Sequence, residues 1–207
     1  MSTDTRRFWN RYAWLYDWEV LRFSRNAYNE MYRRMKQALT KDMDVLELAT
    51  GTGLISLNIA DAVHSIEATD YSPKMIETAK KKDVPPNVHF SIEDATALTF
   101  KDHSFDAVII SNALHIMPDP GKALAEIKRV LKPKGLLIAP NFTHGHLKDS
   151  SWNLSAALLK LVGFETYEKW LPEEYVAFIN SHGFVVKDWC VLKAAFPLVY
   201  LAAKSAD

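Results

Sequence analysis

The residues of this chain best suited to chemistry are three carboxylates, each in or just after an apolar run: Glu47, Asp70 and Asp94. Glu47 lies in Val45-Leu46-Glu47-Leu48-Ala49-Thr50-Gly51-Thr52-Gly53, which reads as a strand ending in a turn of small residues and then opening a helix. Small residues let the backbone approach a ligand closely, and a helix N-terminus offers free amides. The turn lacks the third glycine of the Gly-x-Gly-x-x-Gly pattern that cradles a pyrophosphate. An acid before the turn would repel a phosphate and could pair with a cationic ligand. Alone, Gly51 and Gly53 mark either a nucleotide-type site or a tight strand–helix turn. Asp70 ends the next apolar run, where a carboxylate can accept from both ribose hydroxyls or cap the helix that follows. Asp94 follows the third run and could accept from an exocyclic adenine amine or serve as a turn residue. The candidate general bases are His115, His144, His146 and Tyr16. His144 and His146 stand two apart with no acid or Cys partner recognisable nearby, so no metal site is expected.

The elements that must position these groups alternate in type. Strands are predicted over 44–49, 65–69, 87–92, 105–110 and 136–139, and helices over 54–63, 73–82 and 121–131. Ser72 before Pro73 is a good N-cap with Pro at the first helical position. Lys132-Pro133-Lys134-Gly135 is expected to end the third helix. Such alternation predicts an α/β fold, a parallel sheet with helices on both faces. The tail differs: a helix over 172–181 precedes strands over 184–192 and 194–202, whose short link suggests an antiparallel pair at the sheet edge. Segment 141–171 is the least regular, with Asn141, the two histidines and an apolar stretch over 152–162. It would lie beside the carboxyl ends of the strands, where such sheets bind ligands.

Four stretches in order, ELATGTG, ATDYSPKMIETA, SIEDATALTF and SFDAVIISNALHIMPDPGKALAEIKRVLKPKG, resemble the successive motifs of class I S-adenosylmethionine (SAM)-dependent methyltransferases. The likeness is to the type 11 group, which holds the ubiquinone/menaquinone C-methyltransferases and small bacterial phospholipid N-methyltransferases, and it is dense over 44–140. It implies a Rossmann-like, doubly wound, mostly parallel seven-stranded sheet with an antiparallel C-terminal edge pair and an N-terminal helical lid. Within one domain, 1–41 would be the lid, 42–140 the cofactor-binding core, 141–171 a substrate-side insertion, and 172–207 the last helix and edge strands. The cofactor implied is SAM, with S-adenosylhomocysteine (SAH) as product. By the same resemblance Glu47 and the turn Ala49, Thr50, Gly51 and Gly53 would hold the methionine part. Asp70 would bind the ribose, Tyr71 and Met75 would pack on the adenine, and Asp94 with the Ala95 amide would meet its amine. Ser111, Asn112 and Ala113 would line the methionine end. The family usually has Gly where this chain has Ala49, which implies a small shift of the turn rather than lost binding. The segment 8–18 resembles the family's aromatic lid, where Tyr12 and Tyr16, one turn apart, would contact the cofactor. Trp14 and Trp18 are expected to pack the lid onto the domain.

Composition bounds the rest. The 207 residues suit one domain, and 25 basic residues balance 25 acids, which argues against a dedicated nucleic-acid binder. Residues 1–41 carry nine basic residues against four acids. Together with their aromatics, this raises the expectation of peripheral contact with an anionic membrane surface. Cys190 is the single cysteine, read as a small core residue of a strand. No apolar run is long enough to span a membrane and no signal core opens the chain, so the cytoplasm is the expected location. The aromatic lid and the apolar stretch fit a small or lipid-like acceptor: a quinone precursor, a lipid head group or a small thiol. The rival readings are a non-catalytic SAM-binding regulator and an NAD-dependent oxidoreductase. The missing glycine and Glu47 oppose the second. Oligomeric state is not legible.

Overall fold

The computed structural model describes residues 9–11, 13, 17, 18, 22, 24–144, 166–194 and 197–206. Its centre is one mixed sheet built from β1 (Asp44–Leu48), β2 (Ser65–Asp70), β3 (Val88–Ile92), β4 (Phe105–Ile110), β5 (Leu131–Ile138), β6 (Asn141–Phe142), β7 (Phe184–Leu192) and β8 (Leu198–Ser205). The parallel part runs β3-β2-β1-β4-β5. β8 is antiparallel to it, with β5 and the two-residue β6 end to end along one side and β7 along the other. The expected seven-stranded architecture is therefore present, with β6 as a short continuation of β5.

The period-2 alternation of strand side chains sorts the core into two layers. Val45, Ala107 and Ile109 face one side, with α1 (Arg25–Ala38), α2 (Leu54–Ile59) and α3 (Pro73–Ala79). Leu46, Leu48, Val108 and Ile110 face the other, with α4 (Pro120–Val130) and α5 (Pro172–Ser181). α1 buries Met31 and Met35 completely, and each such side chain contributes roughly 1.5–3 kcal/mol.

Several boundaries differ from the sequence expectations. The helix expected over 54–63 closes as a 3₁₀ turn at Ala60–Ala62, and the one expected to reach 82 ends at Ala79. The Lys-Pro-Lys-Gly run does not separate helix from strand. β5 starts at Leu131, and the run forms a bulge against β4, with Lys134 at φ 60°. Gly135 permits it, because a Cβ there would lie 2.8 Å from the Lys132 carbonyl oxygen. The last strand starts at Leu198 rather than 194, just after Pro197, which has no N–H for the ladder. Cys190 is half-buried on edge strand β7, where burial raises its pKa, rather than enclosed in the core. Tyr12, Tyr16, Trp14, His146 and the apolar stretch over 152–162 lie outside the described residues. Trp18 leaves 59% of its surface exposed.

Candidate active site

Because β3, β2, β1 and β4 are parallel neighbours, their carboxyl ends share one edge of the sheet, and a cleft opens there. Ala49 and Gly51 enter it after β1, and Asp70, Tyr71 and Met75 come from the end of β2 and from α3. Asp94 and Ala95 follow β3, while Ser111, Asn112 and Ala113 follow β4. Ten residues named from sequence thus share one cavity. Glu47, Thr50 and Gly53 do not line it; they stand behind the turn.

The turn is held rigidly. Thr50 N donates to the Thr69 carbonyl at 2.9 Å and Gly53 N to the Thr50 carbonyl at 3.0 Å. Gly53 has φ 79°, and a Cβ on it would meet the Phe90 ring at 2.7 Å, so glycine serves both the turn and the packing of α2. Ala49 also lies in the left-handed region, at φ 54°, and keeps the turn a glycine would make at the expense of steric strain.

Asp70 binds the turn from across the sheet. Its Oδ2 accepts from Gly51 N at 2.9 Å and its Oδ1 from Ser72 N at 2.8 Å. Ser72, not Asp70, caps α3, its Oγ accepting from Met75 N at 3.2 Å. Burial lifts the Asp70 carboxyl to about 6, against the pull of the two amides. Behind the turn Glu47 is 1% exposed and accepts a hydrogen bond from Ser56 Oγ. It points to the α1–α2 layer, since Leu46 and Leu48 face the other way. Burial raises it to about 7, opposed by the Ser56 and Thr50 hydroxyls and reinforced by the negative Asp70.

Asp94 accepts from the Thr96 amide at 2.9 Å and the Thr96 hydroxyl at 2.7 Å. Burial would raise its pKa, but such bonds outweigh it and the carboxyl lies below its ordinary value. At the β4 end Asn112 has φ 52° and donates from Nδ2 to Tyr28 Oη at 3.1 Å.

His115 is 8% exposed and does not line the cleft. Its Nδ1 is 2.9 Å from Asn141 Oδ1, while Asn141 Nδ2 donates to the Phe142 carbonyl at 3.0 Å. This fixes the amide with its oxygen toward the ring, so Nδ1 carries the proton and Nε2 the lone pair. Burial lowers the imidazole to about 4, so it is neutral near pH 7. His144 donates its backbone N–H to the Trp170 carbonyl at 2.8 Å, and burial lowers its pKa too. Among the described residues no cluster of His, Cys, Asp and Glu could hold a metal.

Some site residues were not found from sequence. Trp9 lines the cleft from the arm, and Ile116 and Met117 add apolar wall. Two arm side chains tie to the core. Asn10 Oδ1 accepts from Ser72 Oγ at 2.6 Å, and Asp17 accepts from Thr52 Oγ1 and pairs with Lys82 at 2.5 Å. The resemblance implied an aromatic lid in the arm, but no pattern told its inner from its outer residues.

Residues 46–139 match the family described as a methyltransferase domain. The demethylmenaquinone methyltransferase of Renibacterium salmoninarum is 46% identical over 100 residues, covering 48% of this chain and 41% of that protein. The ubiquinone/menaquinone biosynthesis C-methyltransferase of Rickettsia rickettsii is 35% identical over 175 residues, covering 74% of this chain and 70% of that one. The chain thus spans only 41% of the length of the first relative. Among solved structures, the complex of the Haloferax volcanii Trm112 methyltransferase activator with a methyltransferase superposes with a TM-score of 0.83 at 18% identity, over 98% of both chains. At that identity the likeness is one of fold.

Proposed function

The chain belongs to the class I SAM-dependent methyltransferases, and from that membership we propose that the cleft holds SAM and that the protein methylates a small, apolar, quinone-like acceptor. The observation that carries the cofactor reading is Asp70. Each of its oxygens already accepts one backbone amide, and the carboxyl faces the cleft at the end of β2 with lone pairs to spare for a ribose diol. The rest of the cleft fits the same ligand. Met75, Ile116 and Met117 offer apolar surface for an adenine, and Asp94 stands at the β3 end for its amine. The names of the relatives support a quinone-type acceptor, and the indole of Trp9 and the apolar wall suit one.

SAM supplies an electrophilic methyl group on a sulfonium sulfur, open to in-line displacement. What the chain contributes is alignment and exclusion of water. The turn at 49–53 and Asp70 fix the ligand's middle, and Trp9 covers it. Where the methylated atom is a ring carbon, its proton must leave after the new bond forms. His115, held by Asn141 through Nδ1 and set back from the cleft lining, is one candidate to take it. His144 and Tyr16 are the other candidates. With His115 near 4, the base form is complete well below neutrality, so its titration leaves kcat flat from pH 5.5 to 8. A kcat limb near pH 6.5 that is lost in His115→Gln would contradict the burial of that imidazole.

The test is transfer of labelled methyl from SAM to a reduced demethylated naphthoquinol, a benzoquinol and a cell extract partitioned into organic and aqueous fractions. Label in the quinol or organic fraction, absent with Asp70→Ala, is the expected result. Label confined to the aqueous fraction would overturn the acceptor class, and no transfer despite SAM binding would favour a regulatory protein.

A further inference from the structure

β3 and β4 are not neighbours, so the chain leaving β3 must cross β2 and β1 to reach β4. Crossings between parallel strands are usually helical, which satisfies their backbone groups from within. Residues 93–104 make this one without a helix, and α4 supplies the missing partners. Arg129, near the end of α4, donates with every N–H of its guanidinium. Nε donates to Glu126 Oε1 at 2.9 Å, and Nη1 donates to the Phe100 carbonyl and the Asp102 carboxylate, both at 2.8 Å. Nη2 donates to the Leu98 carbonyl at 3.1 Å and to Glu126 Oε2 at 2.7 Å. Glu126 Oε2 also accepts from Leu98 N at 2.8 Å, so both backbone groups of Leu98 are held by one ion pair. Arg129 lies in the fourth of the stretches that carry the family resemblance, yet it does not line the cleft.

The same crossing carries Asp94 to the cleft, with Ala95 and Thr96 beside it. Its first half is folded on itself: Ala97 N donates to the Asp94 carbonyl at 2.9 Å, and the Thr99 hydroxyl donates to Glu93 Oε1 at 2.5 Å. Those bonds fix its shape. Its place is set by two tethers, Glu93 N to the Asp70 carbonyl at 3.3 Å and the grip of α4 on Leu98. We propose that Arg129, with Glu126, is a positioning residue for base recognition: by fixing the crossing it makes the site prefer a 6-amino purine to a 6-oxo purine. The inference rests on the reading of the cleft as the SAM site. A carboxylate only accepts, so Asp94 suits the 6-amino group. A 6-oxo purine puts a carbonyl oxygen there and keeps its ring N–H one position away. A carboxylate held in place rejects that base, whereas one on a loose crossing can shift to meet the ring N–H. Lysine cannot do the work of Arg129, because its three donors sit on one nitrogen and cannot span two carbonyls and two carboxylates.

The test compares two ligands by calorimetry at pH 7.5: SAH, and S-inosylhomocysteine, which differs only in carrying a 6-oxo group. The parent should bind SAH at least about thirtyfold more tightly. Arg129→Met, which keeps the stem and removes the donors, should cut that preference by about tenfold. Arg129→Lys keeps the charge and should cut it nearly as far. Glu126→Gln leaves the guanidinium in place and should cut it by about threefold, so the test stands even where Arg129→Met does not fold. Asp94→Ala should also cut it, with no further loss on adding Glu126→Gln. A purely structural role for the clamp would weaken both ligands alike. An unchanged preference in Arg129→Met or Glu126→Gln would therefore overturn the proposal, as would a parent that binds the two ligands equally. A parent that binds neither would instead overturn the cofactor reading, a separate outcome.

Discussion

At the scale of single residues, two positions in the site carry local cost in exchange for placement. Ala49 holds a left-handed φ of 54°, where a Cβ crowds the next carbonyl. Ala49→Gly should therefore stabilise the protein by about 0.5–1 kcal/mol, read by chemical denaturation, since relief of strain slightly exceeds the entropy that glycine adds to the unfolded chain. Destabilisation would show that the Ala49 methyl is needed where it packs against the α4–α5 layer. Glu47 is the other. Its folded value, about 7, exceeds the ordinary 4.5, so the folded chain binds the extra proton between them. Its contribution to stability is thus present at low pH and lost as pH rises through about 7. Glu47→Gln should gain on the parent progressively as pH rises from about 4.5 through about 7, by up to about 3 kcal/mol in all, and a constant difference would contradict the buried charge.

At the scale of elements, the arm docks by few contacts. The Asp17–Lys82 pair is partly exposed and screened, so it contributes about 0.5–1 kcal/mol. Asp17→Asn should speed chymotrypsin cleavage within the arm by about threefold, with the core cut no faster. Equal acceleration everywhere would mean that the pair supports the whole fold. The elements also show how far sequence reasoning reached. β1 to β4, α5 and the strand β7 were legible because apolar runs with flanking Ser, Pro and Gly mark them. β5 was misread at its start because a Pro and a Gly in a bulge look like a loop. Nothing in the sequence of α1 marked Tyr28 as a neighbour of the β4 turn. Only the fold brings Tyr28 to Asn112, 84 residues away.

At the scale of the whole molecule, Asp70, Asp94 and the β4 turn meet at one edge because each parallel strand delivers a group there, so their order along the chain is enough to place them together. Sequence alone could not show that Glu47 stands behind the cleft, since that follows from which face of β1 it occupies. The outward side of the arm exposes Arg11, Trp18 and Arg22 at helical spacing, on the side opposite the buried Ala13. No helix among the described residues is long and apolar enough to cross a membrane. A lipid-like acceptor would meet the arm first, so the chain should float with anionic vesicles and less with neutral ones, and the difference should vanish with Arg11→Glu/Arg22→Glu. Equal recovery from both vesicle types would argue against that contact. The central claim, that this edge of the sheet is a SAM site organised by Asp70, is tested most directly by calorimetric titration of SAH into the parent and Asp70→Asn at pH 7.5. The account predicts saturable binding that weakens by about 1–3 kcal/mol in the variant. It also predicts parent affinity falling as the pH drops below about 6 and the carboxylate takes up its proton. Undiminished binding by Asp70→Asn would contradict it.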